Sequence, residues 1–341
     1  MFNKIYEFLC NLLKQNYKLL IFIVCFYLVA TYPVPYYIFT SGGISDLSDK
    51  FEIEGATEQK GSYNLSYVSQ LEGNVITYLT SYIIPNWDLV EVELYQANGM
   101  ESIEEIAIRD KLSLDSANQT AVMLAYEKAE KEIIINDVNY YVAYVMDYLE
   151  SSELVKVGDV VKKVDDVEVS NFDSFFNYVE TKNVGDQVNL QLLRNGNIIN
   201  TLVTVKEIEG KKVLGMAFFE IFDYEVNPNI KLKFNKSESG GSAGLMTTLA
   251  IYDTLVEDDL TNGMKIAGTG TIDSNGSVGE IGGVKYKLKG AESAGTDIFF
   301  VPFGDNYDEC VKIVKEKGYD IKLVPVNTLD DAINYLKNLK K

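Results

Sequence analysis

The longest uninterrupted apolar segment of the chain lies close to its N-terminus. Residues 19–39 are almost wholly apolar or aromatic, and residues 19–45 contain no charged side chain. A helix of about 20 such residues covers the hydrocarbon core of a bilayer. Lysine residues outnumber acidic residues before this segment, and acidic residues follow it. This charge bias predicts a cytoplasmic N-terminus. We therefore predict a cytoplasmic tail over 1–18, a single transmembrane helix over 19–39, and the rest of the chain outside the cell.

A cleaved signal peptide is the alternative explanation of this segment. The apolar region of a signal peptide usually has about 7–15 residues and ends at small residues. Here the apolar run is longer, and Pro33-Val34-Pro35 stands where small residues would be expected. The pattern favours a retained anchor.

The following segment, 40–125, mixes short helix-like and strand-like patterns. Alternating apolar and polar residues over 62–69 predict a strand. The pattern over 71–84 predicts a short helix that ends at Pro85, and the pattern over 120–131 predicts another helix. None of these patterns suggests chemistry, so we expect the segment to connect the anchor to the domains that follow.

Between residues 126 and 210 the pattern is that of a small β domain with one helix. Alternating or β-branched runs predict strands at 140–146, 160–164, 187–193 and 198–205. Asn171 is the expected N-cap of a helix, and Asn195-Gly196 is a hairpin turn signal. The core stripe of that helix is predicted to be Phe172, Phe175, Phe176 and Val179.

From residue 211 to the C-terminus, predicted strands and helices alternate, which indicates an α/β domain. The strands are predicted at 230–234, 265–272, 298–301 and 321–326. The helices are predicted just after Ser242, over 284–295, after residue 301 and from Leu329.

Composition excludes several kinds of chemistry. The net charge is −19 and the basic residues are scattered, which argues against a nucleic-acid partner. The chain has no histidine, which excludes Ser-His-Asp and Cys-His catalysis and any histidine-ligated zinc. It also lacks the G-x-x-x-x-G-K-[ST] phosphate loop, so we expect no ATP-driven motor. We predict no cofactor and no metal. Cys10 lies in the predicted tail and Cys25 in the predicted anchor. Cys310 is then the single cysteine of the predicted exported part, which therefore cannot form an internal disulfide.

Ser242 is a candidate nucleophile because of its neighbours. It lies within Gly240-Gly241-Ser242-Ala243-Gly244, at the predicted start of a helix. Small neighbours let a substrate backbone approach, and the free amides of a helix start stabilise developing negative charge. An ordinary N-cap serine would have the same pattern, so this signal alone is weak.

Lys287 is the candidate base. Periodicity of 3.6 residues places it on the face of its predicted helix that carries Val284, Leu288, Ala291 and Ala294, with Lys285 and Lys289 opposite. Burial lowers the pKa of a lysine, and a neutral amine can accept a serine proton. A lysine whose charged end extends to the surface is the alternative.

Two segments resemble known families. The first segment resembles the bacterial PDZ signature. It begins with Val155-Lys-Val-Gly158-Asp159, runs to Val164 and ends with Val167-Glu-Val169. Asp166 stands where the signature usually has glycine. That resemblance implies that an extended peptide pairs with a sheet edge, beside 140–146. A small β domain without a ligand is the alternative. The signature identifies no peptide-contacting residues.

The other resemblance is to the proteolytic domain of Lon-type serine peptidases, and in particular to the secreted, PDZ-containing Lon-like peptidases of Gram-positive bacteria. Gly240–Gly244 is similar to the family's G-P-S-A-G, with Gly241 in place of proline. Ile281-Gly-Gly-x-x-x-Lys287 is similar to its I-G-G-x-x-x-K. The resemblance implies that Ser242 and Lys287 are catalytic and that Thr269 orients the lysine. Ser239 stands where many members carry an acidic residue.

Together these observations predict an α+β protein with an N-terminal transmembrane helix, a PDZ-like domain at 126–210 and a Lon-type α/β domain at 211–341. The expected function is ATP-independent cleavage of exported proteins or peptides by Ser242 and Lys287, with Thr269, Gly241 and Ala243 in support. Self-association is expected by resemblance. The main alternative is a catalytically inactive PDZ scaffold that binds peptides at the membrane. A metal-dependent hydrolase is disfavoured by the missing histidines.

Overall fold

The computed structural model describes residues 2–56, 59–96, 101–146, 154–165, 167–169, 172–235 and 237–339. The elements of the first half are α1 (Phe2–Ala30), β1 (Pro33–Asp46), β2 (Phe51–Ile53), β3 (Ser62–Asn74), α2 (Val75–Ser81), β4 (Asp88–Glu91), α3 (Val92–Tyr95), α4 (Ile103–Lys128) and β5 (Glu132–Val145). Next come β6 (Val160–Val164), β7 (Val167–Glu168), α5 (Phe172–Glu180), β8 (Gln187–Arg194), β9 (Asn197–Thr204), β10 (Lys206–Ile208), β11 (Lys211–Val213), β12 (Met216–Asn227) and β13 (Ile230–Leu232). The last are α6 (Gly244–Leu255), β14 (Lys265–Gly268), β15 (Thr271–Ile272), β16 (Val278–Gly279), α7 (Val284–Ser293), β17 (Ile298–Pro302), α8 (Asp305–Lys317), β18 (Lys322–Val326) and α9 (Leu329–Leu339).

The chain forms two compact units, one of residues 1–40 and 69–95, the other of residues 41–68 and 96–341. In the first unit, β1 and β4 pair in antiparallel fashion, with Tyr36 opposite Glu91. Asn74 caps α2 through a reciprocal pair of hydrogen bonds with Thr77, which stabilises the start of this short helix.

Two predictions about this unit are corrected. The helix expected over 19–39 ends at Ala30, and strand β1 begins at Pro33. Pro33 and Pro35 lack an amide N–H and disfavour the helical conformation in the residue before them, so the chain becomes extended. No helix among the described residues combines the length and the apolar character that crossing a bilayer requires. The helix expected over 71–84 is confined to α2, because β3 continues to Asn74.

In the second unit, four parallel strands form a sheet in the order β18–β17–β14–β3. In one row across this sheet, Val324 pairs with Phe300, Phe300 with Gly268, and Gly268 with Leu65. Strand β3 therefore contributes to the sheet, although the sequence placed it in a connecting segment.

Both faces of this sheet are buried, as expected for parallel strands. One core contains side chains of α6 and α9 together with Ile266 and Phe300. The opposite core contains side chains of α7 and α8 together with Ala267 and Phe299. Alternate residues of β14 and β17 thus face different helices, and the rigid layer fixes the carboxyl end of β14.

A second sheet has the strand order β12–β5–β6–β8–β9, with β7 paired to β6. The prediction of a free sheet edge beside 140–146 is wrong, because β5 pairs with β12 on one side and with β6 on the other. Its core is closed by Phe175 and Val179 of α5. Asn195 and Gly196 both have positive φ, at 49° and 79°, and form the predicted hairpin turn between β8 and β9. The predicted stripe is wrong at Phe176, whose side chain is 47% exposed. Asn171, Asp166 and the side chain of Phe172 lie outside the part of the chain that the structure describes.

Helix α4 is much longer than the segment 120–131 that periodicity predicted. It begins after Ser102, whose hydroxyl and backbone amide form a capping box with Glu105. Its last turns bury Val122 and Ala125 in the core shared with α6. Its first half carries several charged residues, which hid the apolar period from sequence inspection.

Candidate active site

Ser242 lies in a tight turn between β13 and α6. A single 3-10 turn spans Gly241–Ala243, and α6 begins immediately after it at Gly244. The sequence predicted Ser242 at a helix start, and the 3-10 turn places it just before the α-helix. Gly240 has a φ of 88°, a conformation that strongly favours glycine, and it turns the chain into the 3-10 segment.

The backbone of Ser242 is held by the loop that follows β14. The carbonyl oxygen of Ser242 accepts a hydrogen bond from the amide of Gly270 at 3.1 Å. It also accepts one from the hydroxyl of Thr269 at 3.3 Å. The predicted strand over 265–272 is interrupted at these two residues, where φ of Gly270 is 156°. The interruption turns Thr269 and Gly270 towards the serine.

Lys287 lies in the first turns of α7, and its side chain is only 5% exposed. Val284, Leu288 and Ala291 are buried with it, whereas Lys285 is exposed and Lys289 is partly exposed. The predicted face is confirmed at these residues, whereas Ala294 lies after the end of α7 and is half-buried. Burial penalises the charged ammonium and lowers the pKa of Lys287 to about 8.

The structure brings the three predicted polar side chains together. Lys287 Nζ is 2.5 Å from Ser242 Oγ and 3.0 Å from Thr269 Oγ1. Thr269 is fully buried, Ala243 is buried, and Ser242 is partly exposed. A neutral amine at this distance can accept the proton of the serine hydroxyl. Ser239 is exposed.

The loop before Lys287 is fixed by residues that the sequence did not indicate. The side-chain amide of Asn306 accepts a hydrogen bond from the amide of Ile281 at 2.8 Å. It also donates to the carbonyl oxygen of Ile281 at 3.0 Å. The carboxylate of Glu280 accepts from the amide of Asp305 at 2.8 Å, at the start of α8. These bonds tie the Gly282-Gly283 turn to α8.

The turn that carries Ser242 is fixed by α4, which the sequence also did not indicate. The amide of Gly240 donates to the carbonyl oxygen of Asp110 at 2.9 Å. Any residue can supply a carbonyl oxygen, so no sequence pattern marks this contact.

Comparison with known proteins adds two regions of similarity. Residues 235–338 match the Lon protease (S16) C-terminal proteolytic domain, and residues 125–205 match the PDZ domain. The chain thus contains both kinds of domain within a mixed α+β fold, and the first match supports a serine peptidase.

Individual relatives are similar over limited lengths. A Lon protease of Metamycoplasma arthritidis is 34% identical over 122 residues, which are 35% of this chain and 14% of that protein. An archaeal Lon protease of Methanocaldococcus jannaschii is 27% identical over 183 residues, which are 52% of this chain and 25% of that protein. The PDZ domain of an SdrC-like protein of Listeria monocytogenes matches 23% of this chain and 85% of its own, with 20% identity and a TM-score of 0.23.

Proposed function

We propose that this protein is a serine endopeptidase in which Ser242 is the nucleophile and Lys287 the general base. The observation that carries the proposal is the 2.5 Å separation of Lys287 Nζ and Ser242 Oγ at a buried lysine. The similarity to Lon proteolytic domains supports the same reaction class.

In the proposed reaction, Ser242 Oγ attacks the carbonyl carbon of a peptide bond while its proton passes to Lys287 Nζ. The tetrahedral intermediate then collapses, the C–N bond breaks, and Lys287 returns the proton to the leaving amine. Water hydrolyses the resulting ester with Lys287 again as base, which regenerates the serine. A lysine with a pKa of about 8 is partly neutral near neutral pH and suits both roles.

Neighbouring groups support these steps. The Thr269 hydroxyl, 3.0 Å from Nζ, orients the amine towards Ser242. Gly241 has no side chain to block a substrate backbone, and amides of the turn around Ser242 and Ala243 are the proposed donors to the oxyanion. Removing one such donor typically lowers the rate by about 10²–10³.

Casein cleavage by single-residue variants tests the proposal. Ser242→Ala and Lys287→Met are each expected to abolish cleavage while the protein stays folded. Lys289→Met is the matched control, because Lys289 is partly exposed on another face of the same helix. Full activity of the Lys287 variant would disprove the mechanism. Absence of casein cleavage by the wild-type protein would favour a PDZ scaffold without catalysis.

The biological setting is also part of the proposal. The PDZ domain is proposed to bind or tether the protein or peptide substrate, and cleavage is proposed to need no ATP, since the 341 residues contain no phosphate loop. Residues 19–29 of α1 carry exposed apolar side chains, which supports attachment to a cell membrane. The predicted orientation, with the catalytic domain outside, is testable by adding protease to intact cells. Casein assays with and without ATP, and light scattering for self-association, test the remaining parts.

A further inference from the structure

The first half of α4 contacts the turn that carries the proposed nucleophile. The carbonyl oxygen of Asp110 accepts the hydrogen bond from Gly240, and Ser113 lies one helical turn further on. A methyl group added at Gly241 would lie 2.9 Å from Ser113 Oγ, closer than carbon and oxygen atoms normally pack. Ser113 and Gly241 are therefore in tight contact directly before Ser242.

The other side of the same helix turn contacts the PDZ domain. A methyl group added at Gly158 would lie 3.0 Å from Cγ2 of Ile108. Residues advance by about 100° around a helix, so the side chain of Ile108 points about 140° away from that of Ser113. The turn from Ile108 to Ser113 thus separates the PDZ domain on one side from the Ser242 turn on the other.

The PDZ segment that touches α4 is itself firmly held. The carboxylate of Asp159 is 1% exposed and accepts hydrogen bonds from Nε and Nη2 of Arg194, both at 2.7 Å. The amide of Gly158 donates to the carbonyl oxygen of Val142 on β5 at 2.8 Å. A segment fixed in this way can act as a rigid support for the helix.

From these contacts we propose that the α4 turn Ile108–Ser113 is a positioning element for Ser242, supported from behind by Gly158 of the PDZ domain. This inference rests on the proposed function. It makes the reactivity of the serine depend on a contact with a domain that supplies none of the reacting groups. Among the described residues, the side-chain hydrogen bonds of Lys287 Nζ go to Ser242 and Thr269, so the proposed effect of Ile108 and Ser113 is on placement of the serine.

A pair of substitutions tests the inner contact. Gly241 lies in a right-handed 3-10 turn, so alanine fits its backbone but crowds Ser113. In the full chain, Gly241→Ala is expected to slow labelling of Ser242 by a fluorophosphonate probe by at least about tenfold, since displacing a reacting group by about 1 Å can cost about 10² in rate. Adding Ser113→Ala removes the crowding oxygen, after which the nearest atoms would be 3.6 and 3.8 Å away. The double variant is expected to recover most of the lost rate.

The pH dependence distinguishes positioning from a change at the lysine. In Gly241→Ala the labelling rate is expected to fall at every pH while its midpoint stays near the pKa of Lys287, about 8. The inference would be overturned if Gly241→Ala were labelled at the wild-type rate. It would also be overturned if the double variant were labelled as slowly as Gly241→Ala. Should Gly241→Ala fail to fold, Ser113→Leu crowds the same contact from α4 and is expected to slow labelling in the same way.

A second comparison tests the outer contact. Ile108→Ala removes the support against Gly158 and is expected to slow labelling of Ser242 severalfold with little change in the thermal unfolding midpoint, because Ile108 is already 38% exposed. Ile103→Ala is the control, since Ile103 is an exposed isoleucine at the start of the same helix. Equal labelling by these two variants would show that the PDZ contact does not position the serine.

Failure of the inference is distinguishable from failure of the proposed function. If the probe labels wild type but not Ser242→Ala, the nucleophile is established whatever the α4 variants do. If the probe labels neither, the proposed function fails first.

Discussion

Thr269 Oγ1 lies 3.0 Å from Lys287 Nζ, and both side chains are buried beneath the turn that carries Ser242. The same hydroxyl is 3.3 Å from the carbonyl oxygen of Ser242. Thr269 therefore links the lysine to the backbone of the serine.

Replacing this hydroxyl should impair turnover more than stability. Thr269→Val keeps the shape of the side chain but leaves Lys287 Nζ with one polar partner fewer, and we expect kcat for casein peptides to fall by about 10–10², in the range for a lost positioning contact. KM should change little, because Thr269 is buried and does not reach the surface. Steady-state kinetics measures both constants.

Thr269→Ser is the matched control, because it keeps the hydroxyl and loses only the methyl group. It should retain most of the activity of wild type. Equal losses in the two variants would show that packing, and not the hydroxyl, is what Thr269 supplies.

The pH profile of cleavage should report the free base form of Lys287. Its pKa of about 8 lies below the ordinary lysine value because burial disfavours the ammonium. Below the pKa, the neutral fraction of the lysine falls tenfold per pH unit. The logarithm of kcat/KM should therefore rise with pH at a slope of one up to about pH 8 and then level off. A profile that is flat from pH 6 to 9 would contradict a lysine base.

The proximity of Ser242 and Lys287 could be predicted because two local signals agreed. Small residues around Ser242 and the buried face of α7 each indicated one partner, and the resemblance to Lon enzymes paired them. The distances and the role of β3 in the sheet required the fold, since strand pairing joins Gly268 to Leu65 across 203 positions of sequence. The catalytic roles themselves stay predictions.

Other parts of the site gave no signal in the sequence. Asp110 acts through a backbone carbonyl, which every residue has, and Asn306 is one of many polar residues on an amphipathic helix. Helical periodicity also failed at Phe176, which lies at the edge of the predicted stripe, where its side chain remains exposed. At Pro33 the apolar run concealed a change from helix to strand, although proline itself was the available warning.

Lys287 should reduce the stability of the folded protein below pH 8. The folded pKa, about 8, is lower than the unfolded value of about 10.4, so the unfolded state binds more protons between these values and stability rises with pH there. A shift of this size corresponds to roughly 3 kcal/mol, at about 1.36 kcal/mol per pKa unit. Lys287→Met removes the buried charge. It should therefore raise the free energy of unfolding at pH 7 by up to that amount, and the gain should shrink as pH rises towards 10.

Urea unfolding of Lys287→Met and wild type at pH 7 and pH 9.5 measures this difference. Lys289→Met again serves as the control and should show no such pH-dependent gain. A Lys287 variant that is less stable than wild type at both pH values would mean that its hydrogen bonds to Ser242 and Thr269 outweigh the burial of its charge.

Asn306 should matter for both folding and activity, because its amide pairs with both backbone groups of Ile281, six positions before Lys287. Asn306→Leu fills similar space but leaves the N–H and C=O of Ile281 without these partners. The cost is at most about 1–3 kcal/mol for each of these partly buried groups. Asn306→Asp keeps an acceptor for the N–H and loses the donor to the carbonyl, so its loss should be intermediate. Urea unfolding gives the free energies, and kcat should fall in the same order because the turn at Gly282-Gly283 sets the start of α7. Wild-type kcat in a folded Asn306→Leu variant would show that α7 holds Lys287 in place without help from this loop.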